Sequence, residues 1–276
     1  MNAQPAAQPL RDVVPTSLHR PSAPRLSVQW ARCEEDVRQA QRLRHRVFSQ
    51  EMGASLTLTH GVAPGLDADA FDPFCDHLLV RLVTGDGDEE GELVGTYRVL
   101  PPDAARRAGG LYIDTEFDTA RLAALRPRAV ELGRSCVHPS WRSGGVILAL
   151  WGALCHYMLL HRLETMIGCA SVSLKHGTKP AVRLWHDLRA SHLVDPQWQV
   201  VPWTALPLHC DEARPGLQDD LLLHASTPPL IKGYLRCGTK LLGPPALDSA
   251  FNTADLPMML RIEDLAPRYR RHFLGH

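Results

Sequence analysis

The sequence predicts an α/β fold, α+β in its layering, with one central sheet flanked by helices. Three observations predict it. Helix, strands, helix, strand, glycine turn, helix, strand and helix follow one another along the chain. The stretch Ala129 to Leu150, AVELGRSCVHPSWRSGGVILAL, passes from a strand through a turn with two glycines into an apolar helix. The chain has 276 residues, 45% of them hydrophobic, enough for a sizeable core.

Each element has its local reason. Residues 1–25 are rich in Ala, Pro and Gln and carry no apolar period, so they read as a flexible tail. Residues 26–276 read as a single domain. Leu26 to Trp30 is a first strand. Glu34 to Met52 is a helix with acids Glu34, Glu35 and Asp36 in its first turn, where the macrodipole favours them. Val37, Ala40, Val47 and Phe48 share a face, and Arg44 lies four residues before Phe48. Gly53 to Pro73 is a long polar loop, a length often tied to function. His77 to Val83 and Glu92 to Leu100 are strands joined by an acidic, glycine-rich turn. Tyr112 to Phe117 is irregular, and Thr119 to Arg126 is a helix closed by Pro127. Val146 to Arg162 is a helix, Thr165 to Leu174 a buried strand and Lys179 to Ala190 a helix. Strand-like pieces follow near Gln197 to Trp203.

Composition narrows the function. The formal net charge is zero, which gives no general attraction to nucleic acid. Seven cysteines, with no C-x-x-C pair, read as reduced thiols in a cytoplasmic protein, and metal-ligand spacing is missing. No basic segment followed by an apolar one marks a signal peptide. The longest apolar run, Val146 to Leu160, is shorter than the ~20 residues that cross a bilayer. It reads as a core helix, and any membrane contact is peripheral, at the inner membrane. The chain has no Walker loop, no dinucleotide glycine fingerprint and no nucleophile elbow.

The central strand carries two charges, Glu131 and Arg134, where aliphatic residues are usual. A buried carboxylate is normally paired, functional or both. Strict alternation puts the two on opposite faces. A bulge at Gly133 would bring both to one side.

Several of these residues resemble those of a known superfamily. Val137-His138-Pro139-Ser140-Trp141-Arg142-Ser143-Gly144-Gly145-Val146 between strand and helix resembles the central motif of the GNAT acyltransferases, [QR]-x-x-G-x-[GA]. Arg142 and Gly145 match it, and Ile147 replaces the final small residue. Arg44-x-x-x-Phe48, acids Asp72 and Asp76 before a strand, Arg98-Val99-Leu100-Pro101 and Glu131-x-x-Arg134 resemble the homoserine-lactone synthases. The whole pattern, with E-L-G-R-S-C-V-H-P from Glu131, P-P-L-I-K-G-Y-L-R from Pro228 and F-N-T-A-D-L from Phe251, is similar to the bacterial ornithine N-acyltransferases, from about Leu26 to Leu274.

That resemblance implies a GNAT-like fold with a central mixed sheet. It implies transfer of a 3-hydroxyacyl group from acyl carrier protein to the α-amine of L-ornithine, giving lyso-ornithine lipid. No metal or separate cofactor is implied, because the acyl group arrives on the carrier's phosphopantetheine arm. An amine attacks a thioester directly once it is neutral, so the site needs a base and no protein nucleophile. Glu131 is the candidate base, and an ion pair with Arg134 is its structural alternative. Arg44, Arg98 and Arg134 would bind the acceptor carboxylate or organise the acids. Phe48 borders the substrate, and Asp72 or Asp76 would bind the side-chain ammonium. Backbone N–H groups from Cys136 through Val137 to His138 would hold the oxyanion. Arg142 and the N–H groups of Ser143, Gly144 and Gly145 would hold the arm's phosphate. Other readings are a homoserine-lactone synthase, an acetyl-CoA-dependent N-acetyltransferase and a non-catalytic carrier-protein or lipid-binding module.

Overall fold

A computed structural model describes residues 25–54, 63–83, 90–208 and 227–275. The N-terminal tail expected up to residue 25, all but its last residue, and much of the acidic turn before Glu92 therefore lie outside the described residues. In order come β1 (Arg25–Trp30), α1 (Glu34–His45), β2 (Asp76–Val83), β3 (Glu90–Leu100), α2 (Pro102–Ala108), β4 (Phe117–Asp118), β5 (Ala129–Val137), α3 (Gly145–Leu160), β6 (Thr165–Ser173), α4 (Lys179–His192), β7 (Val201–Pro202), α5 (Pro229–Cys237), β8 (Lys240–Leu241), β9 (Ala246–Asp248), β10 (Thr253–Arg261) and α6 (Pro267–Leu274).

The main sheet has the order β1-β2-β3-β5-β6-β10-β8, with β9 paired to β10. Only β5 and β6 are parallel, and the other pairs are antiparallel. The sheet is mixed, as the resemblance implied. β2 is buried on both faces. Leu78, Val80 and Leu82 pack with α3, and Leu79 packs with Ala40 and Leu43 of α1. Helices therefore cover both sides of this half of the sheet.

Differences from the sequence reading are local. α1 stops at His45, and the helix continues as a π-turn over Arg46–Glu51. Between Thr119 and Arg128 there are only two 3₁₀ turns, Ala120–Leu122 and Arg126–Arg128. Arg126 there reaches back to Asp114 at 2.6 and 2.9 Å, tying the segment to the preceding loop. Near Gln197 to Trp203 the only strand is β7, which pairs with β4.

The feature that makes a site is a fork. β5 and β6 pair only from Ala129/Thr165 to Glu131/Ile167. Beyond Glu131 they separate, and the side of β5 that faced β6 borders the opening, where the Val137 carbonyl accepts from Arg142 Nε at 3.1 Å.

Candidate active site

Glu131 stands at the mouth of the fork. Opposite it β3 and β5 fall out of register, because Thr96 pairs with Cys136 while Arg98 pairs with Gly133. β5 thus carries an extra residue, the expected bulge. The left-handed residue is Arg134 itself, at φ 51°, rather than Gly133. A non-glycine residue held there needs a surrounding that fixes it. Arg134 has one: its guanidinium lies 5.1 Å from the ring centre of Tyr112 and 4.6 Å from that of Phe251. It also pairs with Asp69 at 3.0 Å and Asp67 at 3.4 Å.

The bulge brings Glu131 and Arg134 into one cavity of about 700 Å³, but it does not pair them. Each Glu131 oxygen instead accepts a backbone N–H at the start of the Tyr112–Thr115 turn, from Tyr112 at 2.5 Å and Ile113 at 2.7 Å. Glu131 is 5% exposed. Burial raises its pKa more than these donors and Arg98 lower it, so the carboxyl is pushed up to about 7. A carboxylate at that value can take and release a proton near neutral pH.

Three arginines and three aspartates brace one wall. Arg44 is fully buried and pairs with Asp67 at 3.0 Å and Asp72 at 2.6 Å. Arg98 pairs with Asp69 at 2.7 Å and Asp72 at 2.8 Å. Burial works against the Asp72 carboxylate, but Arg44 and Arg98 overcome it and hold the group well below the usual range. Asp72 is thus spent on arginines rather than open to an acceptor's ammonium. Asp76 is elsewhere: it is exposed, accepts from the Tyr157 hydroxyl at 2.7 Å and borders a separate recess. The structure does not bring it to Glu131.

A second acidic group was not singled out as a site from the sequence. Asp255 of β10, Asp248 of β9 and Glu116 before β4 gather beside Cys169 and Tyr112. Asp248, Cys169 and Asp255 line the large cavity. Asp255 is 4% exposed and accepts from Thr253 Oγ1 at 2.8 Å. Glu116 Oε2 is sealed from solvent and has no hydrogen-bond partner among the described residues. None of the three acids forms a salt bridge among the described residues. Burial, then Asp255 and Asp248, push Glu116 up, and burial foremost raises Asp255. Ligand atoms of Glu116, Cys169 and Asp255 lie within 4.8 Å of one another, a spacing that would suit a metal. With no cation beside it, burial and the surrounding acids hold the Cys169 thiol protonated, well above its usual range. An organic ammonium asks only for the carboxylates.

The remaining candidates divide. Phe48 lines the cavity and meets Phe251 edge-on at 6.3 Å. Cys136 is a buried packing residue whose thiol burial pushes up to about 12, no nucleophile. The His138 N–H is spent on Val94 O at 2.8 Å, so it is not free for an oxyanion. Antiparallel alternation then turns the Val137 N–H toward the fork. Arg142 makes a bidentate pair with Glu51 at 2.5 and 2.8 Å. Gly144, at φ 104°, turns the chain into α3 at Gly145. Arg142 and Gly144 line the cavity, while Ser143 and Gly145 stand behind it in the same turn. Sequence reasoning missed Asp67, Asp69, Tyr112, Glu116, Asp248, Phe251 and Asp255. Two signals pointed toward some of them: the length of the Gly53–Pro73 loop, and the likeness of Phe251-Asn252-Thr253-Ala254-Asp255-Leu256 to the ornithine N-acyltransferases.

Comparison with known proteins gives the family and the fold. The family described as acetyltransferase (GNAT) domain matches residues 43–152. A protein of Agrobacterium fabrum named L-ornithine N(alpha)-acyltransferase is 37% identical, covering 91% of this chain and 85% of its own. One of Brucella abortus with the same name is 38% identical, covering 90% and 88%. The crystal structure of the AHL synthase LasI shares the fold, with a TM-score of 0.50 and 14% identity over 92% of this chain and 96% of that one.

Proposed function

The chain belongs to the L-ornithine N(alpha)-acyltransferase family, and on that premise we propose that it moves a 3-hydroxyacyl group from acyl carrier protein to the α-amine of L-ornithine. Acyl transfer as such follows from the family. The observation that carries the finer reading is Glu131, buried without an ion pair and held by two backbone N–H groups, in a cavity that Asp248 and Asp255 also line.

The neutral α-amine attacks the thioester carbonyl carbon. Glu131 takes the proton that the nitrogen sheds. Negative charge gathers on the carbonyl oxygen, and the Val137 N–H at the fork is placed to receive it. The intermediate collapses with cleavage of the C–S bond. The departing thiolate takes a proton, and the amide remains.

The acceptor's two ends are read by opposite charges. Its carboxylate is assigned to Arg134, which faces the cavity. Its side-chain ammonium is assigned to Asp255, Asp248 and Glu116, in place of Asp72 or Asp76. Arg44 and Arg98 hold the wall. Arg142 and the turn at Ser143–Gly145 receive the phosphate of the arm, in exchange for Glu51. Met52 and Leu148, each 39% exposed, border the cavity, which supports release of an amphiphilic product at a membrane face. No helix of the described residues is long and apolar enough to cross a membrane.

The test is thiol release from 3-hydroxyacyl carrier protein with and without L-ornithine, followed by product mass. Ornithine-dependent release with an acyl-ornithine amide is expected. A lactone from S-adenosylmethionine, an acetylated amine from acetyl-CoA, or no release from folded protein contradicts the reading.

A further inference from the structure

A second, smaller cavity of about 80 Å³ adjoins the first. The two share Tyr97, Leu132, Trp151, Cys169, Ala170 and Tyr234. Beyond that shared wall the small cavity is bounded by Leu154, Met166, Met258, Leu265 and Phe273, all apolar. The hydroxyls of Tyr97 and Tyr234 bond each other at 2.6 Å, which satisfies both within this apolar passage. Gly233 keeps the passage shaped: a Cβ there would sit 2.3 Å from the Trp151 ring.

We propose that this small cavity receives the methyl end of the acyl chain and that Phe273 of α6 sets how long a chain fits. This rests on the acyl-transfer reading above. Helix α6 borders both cavities, with Tyr269 on the large one and Phe273, one turn later, on the small one. The two rings stack at 5.8 Å with planes 22° apart, so Phe273 is held in place by its own helix. It packs on α3 at Gly152, where even an added Cβ would lie 3.7 Å from Phe273 Cδ1, an ordinary contact. Phe273 is only partly buried, so it stands between the small cavity and solvent. Its ring is the stop that an extending chain meets. An apolar chain that fits gains burial with each methylene, and one that overruns meets the ring.

The experiment measures kcat/KM for carrier-bound acyl donors lengthened in two-carbon steps, with L-ornithine fixed. Phe273→Ala is expected to move the optimum upward by at least one step. Phe273→Trp is expected to move it downward. The ratio of rates for the donors on either side of the wild-type optimum should change by about tenfold or more, since one methylene in an apolar pocket is worth roughly 10–200-fold. Phe273→Leu, the mildest change, is expected to move the optimum the same way as Ala and by less, and it decides the matter if Ala or Trp fails to fold. An unchanged length profile in folded Phe273→Leu and in whichever other variant folds overturns the proposal. Absence of thiol release from wild type with every donor instead overturns the acyl-transfer reading.

Discussion

Asp67, Asp69 and Asp72 form ion pairs with Arg44, Arg98 and Arg134, whereas Glu116, Asp248 and Asp255 form none among the described residues. Arg98 and Arg134 of the first set and Asp248 and Asp255 of the second line one cavity. Burial disfavours charge in each, yet the outcomes are opposite. Guanidiniums hold Asp69 and Asp72 low, while Glu116 and Asp255 are raised. An acid already matched to an arginine builds a wall. A buried acid left without a cation is positioned to receive one. Glu131, clamped by backbone donors and pushed up to about 7, lies between these extremes and suits proton transfer.

Four changes break or sharpen this contrast. Glu131→Gln should lower ornithine-dependent thiol release by about 10²–10⁴-fold, the usual worth of a general base. Turnover within threefold of wild type would assign Glu131 to holding the Tyr112 turn only. Arg44→Met leaves two buried carboxylates short of a partner and should cost about 3–5 kcal/mol in urea unfolding. A loss under about 1 kcal/mol would mean the paired wall is not structural. Asp255→Asn keeps an acceptor for Thr253 and removes an uncompensated charge. Its unfolding midpoint at pH 8 should equal or exceed that of wild type, and a clear drop would show a hidden pairing.

The fourth concerns pH. Glu131, Glu116 and Asp255 have raised values in the folded state, so each favours folding below its unfolded value, near 4.5 for the glutamates. That contribution is lost as pH rises, through about 7 for Glu131. Asp69 and Asp72 are lowered, so their contribution is present above about 3.8 and lost as pH falls. Bound L-ornithine supplies the missing cation only when the acids are ionised. Its addition should raise the melting temperature more at pH 8 than at pH 5.5, read by thermal unfolding. An equal rise at both would detach the acids from the acceptor. The rate should climb with pH through about 7 as Glu131 ionises.

Much of this was legible from residues alone. Periodicity placed the strands and helices, and two charges in a buried strand marked Glu131 and Arg134. The irregular Tyr112–Arg128 segment was legible only in part. Its turns are fixed by Asp114 and Glu131, partners that no local pattern reveals. The acids were the hardest. Asp72 sits in an ordinary turn, and its burial depends on Arg44, 28 positions earlier. Glu116 and Asp255 are 139 positions apart and meet through the fold, β10 lying beside β6 while the turn before Glu116 is held to Glu131 of β5 by the Tyr112 and Ile113 N–H groups. Contact across that separation leaves no trace in spacing.

The most direct test compares acylation of L-ornithine with acylation of L-norvaline, which has the same carbon chain without the side-chain ammonium. Wild type should favour L-ornithine in kcat/KM by roughly 10²-fold or more, because a norvaline chain leaves the acids unpaired. Asp255→Asn should reduce that preference at least tenfold while Asp76→Asn leaves it intact. A preference untouched by Asp255→Asn, or abolished by Asp76→Asn, would contradict the division between paired and waiting acids.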